Sequence, residues 1–211
     1  MSSSIPVFRN KRKICIICEG DEEYDYIEKL ISLRVWHSCY DITPINAEGN
    51  GNIPARYQDK YQNGAYEAIF VFCDTDKKPY EQYEDIKTKI NEIHGQDNAA
   101  DEVVIFGNPC TMQIIIMHWT DDILKSHKKK KNSPIIELCT GVSCYKARAD
   151  QRTQIFNKIN KENYSSMITR IEKLPKDDTI VGSSNFAILI ENLTTADDNW
   201  IKELNKKLGG C

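Results

Sequence analysis

The sequence has no long hydrophobic run, no internal repeat, no low-complexity tract and no marked excess of charge of one sign. The longest apolar stretch, Ile114 to Trp119, is far shorter than the ~20 residues that a helix needs to cross a bilayer, so a membrane span is excluded. Met1 to Lys13 lacks the apolar core of a signal peptide, and a cytoplasmic setting is expected. The formal net charge of −3 argues against a uniformly basic nucleic-acid binder. A zinc pattern is also missing. Cys15 and Cys18 form a Cys-x-x-Cys, but they sit in an apolar strand-like run where positions three apart face opposite sides. The nearest second pair, Cys139 and Cys144, adds nothing specific, so the eight cysteines read as reduced, mostly buried thiols.

What is present is an ordinary globular composition, 40% hydrophobic and 28% charged over 211 residues. A chain of this size buries roughly 70% of its unfolded surface without a metal or disulfide staple. The small net charge hides a segregation. Residues 1–124 carry 12 Lys/Arg against 21 Asp/Glu, residues 125–176 carry 13 against 4, and residues 177–211 carry 3 against 6. An acidic stretch followed by a basic one suggests a polyanionic partner.

Lys13 to Cys18 and Ala68 to Cys73 are continuous apolar runs that read as buried parallel strands. Asp41 to Ile45 and Val103 to Phe106 read as two more. Helices are expected over 21–34, 54–62, 79–93 and 109–124. The strand–helix alternation predicts an α/β parallel sheet with flanking helices across residues 13–124. Residues 1–124 are therefore taken as the core and 125–211 as a basic, mainly helical C-terminal extension packed on it. Within the extension, Lys125 to Lys131 reads as an exposed loop, followed by helices near 133–140, 145–161, 163–174, 184–193 and 196–208.

In parallel sheets, sites form beyond the carboxyl ends of the strands. Glu19, the pair Asp74-x-Asp76, and Asn108 each follow a predicted strand and should meet at one edge. Two aspartates two apart on extended backbone point the same way, and a third carboxylate from a neighbouring strand makes an oxygen-rich site. Mg2+ suits such a site, because it binds a few carboxylates, keeps waters and accepts substrate phosphate.

Strand-Glu-Gly-helix followed by a strand ending Asp-x-Asp resembles the TOPRIM domain. Cys18-Glu19-Gly20-Asp21-Glu22-Glu23-Tyr24 is similar to the opening motif of the RloB/AbiLii-like TOPRIM family. Asn108-Pro109-Cys110, with His118 ten residues after Asn108, resembles that family's third motif, and Ser184-Asn185 resembles its C-terminal one. The chain departs from the family at Thr111-Met112, where Phe-Glu is usual, at Ile114 in place of Trp, and at Phe186 in place of Pro. The resemblance implies a TOPRIM-like Rossmannoid sheet holding Mg2+ or Mn2+ on Glu19, Asp74 and Asp76. It implies phosphodiester cleavage of RNA (tRNA by analogy) or DNA, in bacterial anti-phage defence and abortive infection, beside an ATPase or sensor partner. Glu19 would serve as general acid or base. Glu23 would assist the metal or face the helix dipole. His118 would move a proton or contact phosphate, or be a hydrogen-bonded helix histidine. Gly20 and Asn108 would support the site, Asn108 by orienting a carboxylate or phosphate or by turning the chain before Pro109.

Lys128, Lys129, Lys130, Lys131, Lys146, Arg148 and Arg152 are the candidate nucleic-acid contacts, with Lys125 and His127 nearby. Tyr145, Phe156 and Tyr164 are expected to stack on unpaired bases. Two alternatives stand beside the nuclease. One is a catalytically degenerate module that binds nucleic acid or nucleotide. The other is a docking subunit of an ATPase-containing complex. A homodimer is compatible with each.

Overall fold

The computed structural model describes residues 10–75 and 80–209, the side chains of Tyr80 and Lys129 excepted. Four parallel strands form a sheet: β1 (Arg12–Cys18), β2 (Tyr40–Asn46), β3 (Ala68–Asp74) and β4 (Val104–Gly107), in the order β2-β1-β3-β4. The central strands β1 and β3 are the two continuous apolar runs. Ile14 to Cys18 and every residue of β3 are buried, so both faces of the sheet are covered there. β2 is half-buried and carries Pro44 opposite Ile16, a residue that an edge strand tolerates.

Four helices connect the strands: α1 (Asp21–Leu33), α2 (Ile53–Asn63), α3 (Tyr80–His94) and a short α4 (Ala99–Val103) that the sequence pattern did not foreshadow. α1 starts immediately beyond β1, with Asp21, Glu22 and Glu23 in its first turn, where the helix dipole favours anions. From β1 the chain crosses to β2 on one side, then returns to place β3 on the other. The carboxyl ends of β1 and β3 thus flank the point where strand order reverses.

After β4 follow α5 (Met112–Ile116), α6 (Lys129–Thr140), α7 (Ala149–Phe156), α8 (Lys161–Ile171), α9 (Ala187–Thr194) and α10 (Asn199–Lys207). Several differ from expectation. The helix expected over 109–124 is helical only at 112–116, and Met117, His118 and Trp119 continue as tight turns bonded to residues three back. The basic segment is a loop only through Lys128. Lys129 to Lys131 form the first turn of α6, because the Asn132 amide donates to Ser126 O (2.6 Å) and accepts from Lys125 N–H (3.3 Å). The helix expected over 145–161 shrinks to α7, preceded by the loop 143–148.

The later helices pack on the sheet through specific contacts. Phe186 meets Tyr26 of α1 and Phe72 of β3, Phe156 meets Tyr26, and Trp200 Nε1 donates to Tyr40 Oη at 2.8 Å. The outer edge of β4 is closed by Ser184 and Asn185. The Asn185 amide accepts from Phe106 N–H and donates to Val104 O, both at 2.8 Å, as a further strand would. Ser184 Oγ donates to Phe106 O at 2.7 Å. An edge that would otherwise present unpaired backbone groups is thereby satisfied by side chains.

No helix among the described residues is long and apolar enough to cross a membrane. Cys15, Cys18 and Cys73 are buried thiols; burial pushes Cys15 up to about 12 and holds Cys18 and Cys73 well above the ordinary thiol range. These thiols are packing groups at neutral pH.

Gly107 ends β4 where loop 108–111 folds back over it. A Cβ there would lie 2.9 Å from Cys110 O and 3.1 Å from Thr111 Cα, against backbone that cannot swing aside. Gly107→Ala should therefore lower unfolding free energy by about 1–3 kcal/mol in urea titration. An unchanged midpoint would show that the loop shifts without cost.

Candidate functional site

The site begins with two acids on adjacent strands. Glu19 follows β1 and Asp74 ends β3, and the Asp74 N–H donates to Glu19 Oε2 at 2.8 Å. Their placement follows from the strand register: Cys18 lies opposite Phe72, so Glu19 reaches the level of the last residues of β3. The Glu19 N–H donates to Phe72 O (2.9 Å), and its carbonyl accepts from Gly49 N–H (2.7 Å), which fixes the backbone at the strand exit.

Thr111 holds Asp74. Its N–H and its hydroxyl both donate to Asp74 Oδ1, at 2.6 and 2.9 Å. Sequence reasoning passed over this residue. Its position just before α5 was a departure from the family motif, and nothing in its own chemistry signals the contact. Glu23, 4% exposed, accepts from Gly20 N–H at 3.1 Å, closing the first turn of α1. The Glu23 carboxylate therefore stands at the start of α1, one turn beyond Glu19. Asp76 lies outside the described residues.

Buried polar atoms gather beyond β3 and β4. Among the described residues, Thr75 Oγ1, Asn108 Oδ1 and Ser183 Oγ are buried without a hydrogen-bond partner. Backbone bonds join their segments: Thr75 N–H donates to Gly107 O and Asn108 N–H to Ser183 O. Asn108 Nδ2 donates to Asp178 O at 2.6 Å, so its amide braces the 177–183 loop and leaves its oxygen uncommitted. Buried polar groups are ordinarily paired, so a group of orphans at the strand ends marks a place suited to water or ligand.

Glu19 and Asp74 are hard oxygen donors on one sheet edge, the donor type that Mg2+ or Mn2+ takes. Among the described residues no cluster of three His, Cys, Asp or Glu side chains is poised around a common point. The described part of the expected triad is therefore a pair.

His118 stands elsewhere and is committed. It is 1% exposed. Asn163 Oδ1 already accepts from Asn160 N–H, while its amide nitrogen donates to Lys158 O. His118 Nδ1–H therefore donates to that oxygen at 3.1 Å, and Nε2 accepts from Tyr26 Oη at 3.0 Å. Burial lowers its pKa to about 4. This is the hydrogen-bonded structural histidine of the two expectations, joining α1 to α8.

The basic candidates divide. Lys128, Lys130, Lys131, Lys146 and Arg148 are exposed, and Arg148 pairs with Asp150 at 3.2 Å. Lys129 is described only by its backbone. Arg152 is a correction. Its guanidinium bonds Asp25 at 2.7 Å and Asp21 at 3.1 Å, ties Ala147 O, and is 11% exposed, so it clamps α7 to α1 instead of facing solvent. The expected stacking platforms are corrected likewise. Tyr145, Phe156 and Tyr164 are buried, and Tyr145 Oη donates to Glu22 Oε1 at 2.8 Å.

Lys130 and Lys146 line a groove of about 530 Å³ together with Ser133, Cys144 and Tyr145. A smaller recess shares Tyr145 and reaches Glu22, Cys110 and Met112. Cys110 and Met112 flank Thr111, the residue that bonds Asp74.

His118 has a pH signature. Its ordinary pKa of 6.5 falls to about 4 in the fold. Its stabilising contribution is full above pH 6.5 and is lost as pH falls towards 4, because the unfolded chain takes up the proton first. Urea unfolding of wild type should lose on the order of 2–3 kcal/mol over that window beyond the loss seen in His118→Gln. Parallel pH profiles for the two proteins would contradict a buried neutral imidazole.

No family model matches the chain, no curated protein matches it, and no solved structure matches it, so its own residues and geometry are the ground for a functional reading.

Proposed function

We propose that this chain is a TOPRIM-like, Mg2+- or Mn2+-dependent nuclease of RloB/AbiLii-like type, acting on RNA or DNA phosphodiesters in bacterial anti-phage defence. The observation that carries the reading is the Glu19–Asp74 pair at the carboxyl ends of adjacent parallel strands, where strand order reverses. Glu19 and Asp74 would hold the metal, with Asp76 the expected third acid. A bound metal would supply Lewis-acid polarisation of a phosphoryl oxygen. The chain's own groups then have separable tasks. Thr111 orients the Asp74 carboxylate through two bonds. Glu23 fixes the turn that presents Glu19. Lys128, Lys130, Lys131 and Lys146 are exposed and would offer phosphate contacts. An ATPase or sensor partner belongs to this reading through the family resemblance.

A second reading, binding without cleavage, is favoured by Met112. The position where the resembled family carries a Glu is here an apolar residue, 1% exposed, lining the recess beside Glu22.

A divalent-metal assay on a panel of tRNA, single-stranded RNA and plasmid DNA separates the two. The nuclease reading expects cleavage with Mg2+ or Mn2+, none in EDTA, and a loss of about 100-fold or more in Glu19→Gln and Asp74→Asn. Thr111→Val, which removes one of the two donors to Asp74, should cost roughly tenfold with the fold intact by circular dichroism. Uncut substrate under every metal condition, with binding retained, would leave the binding module standing.

A further inference from the structure

The basic groove is built to a degree that an incidental surface depression is not. Its wall is the loop between α6 and α7, in which two non-glycine residues, Cys144 (φ 48°) and Ala147 (φ 54°), adopt the left-handed region. That backbone is sparsely populated by L residues and persists only when its surroundings enforce it. The enforcement is visible. Gln151 Oε1 accepts from Lys146 N–H (2.8 Å), while Gln151 Nε2 donates to Ser143 O and Cys144 O (3.2 and 3.3 Å). The Arg152 guanidinium, already paired with α1, grips Ala147 O. The loop is thus held against the sheet domain with Cys144 and Lys146 facing the groove.

We infer that this groove is a subsite for one unpaired nucleotide of a single-stranded nucleic acid, with flanking phosphates on Lys130 and Lys146 and the base against the Cys144–Tyr145 wall. Charge complementarity names the occupant's sign: neither lysine has an ion-pair partner among the described residues, although Arg148 and Arg152 close by do. A volume of about 530 Å³ is in the range of small-ligand sites. A duplex keeps its bases stacked inside and could offer only backbone to a concave pocket, whereas a single strand can insert a base. The adjoining recess leads along Tyr145 to the residues flanking Thr111, so the strand would lie beside Asp74. This inference rests on the nuclease reading for its place beside the acids, but its binding does not need the metal.

Anisotropy in EDTA tests it, with labelled oligothymidine and oligouridine of about 12 nucleotides, a duplex of equal length and polyglutamate as probes. The expected result is single-strand binding at least about tenfold tighter than duplex binding. In Lys130→Ser/Lys146→Ser the slope of log K against log salt should shrink by about 1.4, two contacts at ~0.7 each. Alkylation of the exposed Cys144 by N-ethylmaleimide, followed by peptide mass spectrometry, should slow when oligothymidine saturates the protein. Equal affinity for duplex, equal affinity for polyglutamate, or unchanged Cys144 alkylation at saturation would each overturn the subsite. Metal-dependent cleavage is scored separately on wild type. Cleavage without groove protection removes this inference alone, and groove protection without cleavage removes the nuclease reading alone.

Discussion

The hydrogen bond from the Asp74 N–H to the Glu19 carboxylate is the constraint on which the candidate site depends. It joins the exits of two buried strands and brings two acids together where they would otherwise repel. That proximity has a cost in a partly buried setting, and the structure offsets it with fixed donors. Glu19 takes a backbone N–H, and Asp74 takes the N–H and hydroxyl of Thr111. Such donors cannot move with solvent, so the carboxylates are oriented before any ligand arrives. The strands must be adjacent and parallel for this to occur, and the apolar runs of β1 and β3 are what make them so.

The C-terminal helices contribute to the same edge. Loop 108–111 delivers Thr111 because Gly107 lets it lie close on β4. Ser184 and Asn185 seal β4 from outside, while Asn108 ties that strand's exit to the 177–183 loop. On the other side, Arg152 and Tyr145 bind the first two turns of α1 through Asp21, Asp25 and Glu22. The turn that carries Glu19 and Gly20 is therefore braced by residues more than a hundred positions away.

Much of the sheet was legible in the sequence, because a strand buried on both faces has to be apolar at every position. Glu19 and Asp74 were legible for a related reason: a charged residue that ends such a run lies at the strand exit. The helices of the second half were less so. Short amphipathic segments do not reveal which face meets which neighbour. Tyr145, Phe156 and Tyr164 looked like stacking groups beside lysines, yet each has most of its surface buried within the fold. His118 has the chemistry of a proton shuttle, but two hydrogen bonds across α1 and α8 decide its role, and both partners are distant in sequence. Thr111 was invisible for the same reason.

The charge distribution shows most clearly how folding alters a sequence-level quantity. The basic excess of residues 125–176 looks like one electrostatic face. In the fold it is partly neutralised from within: Arg152 by Asp21 and Asp25, Arg170 and Lys173 by Asp121, Arg148 by Asp150. Arg152 thus clamps α7 to two acids of α1, so some of the segregation along the chain is complementarity between its own parts. Of the exposed lysines left for an outside anion, Lys130 and Lys146 meet at the groove beside the α6–α7 loop. Since that loop is held by Gln151 and Arg152, the internal ion pairs and the external lysines are not competing uses of one charge excess. Arg152 helps to fix the loop from which Lys146 projects, so the groove owes part of its shape to positive charge that is turned inward.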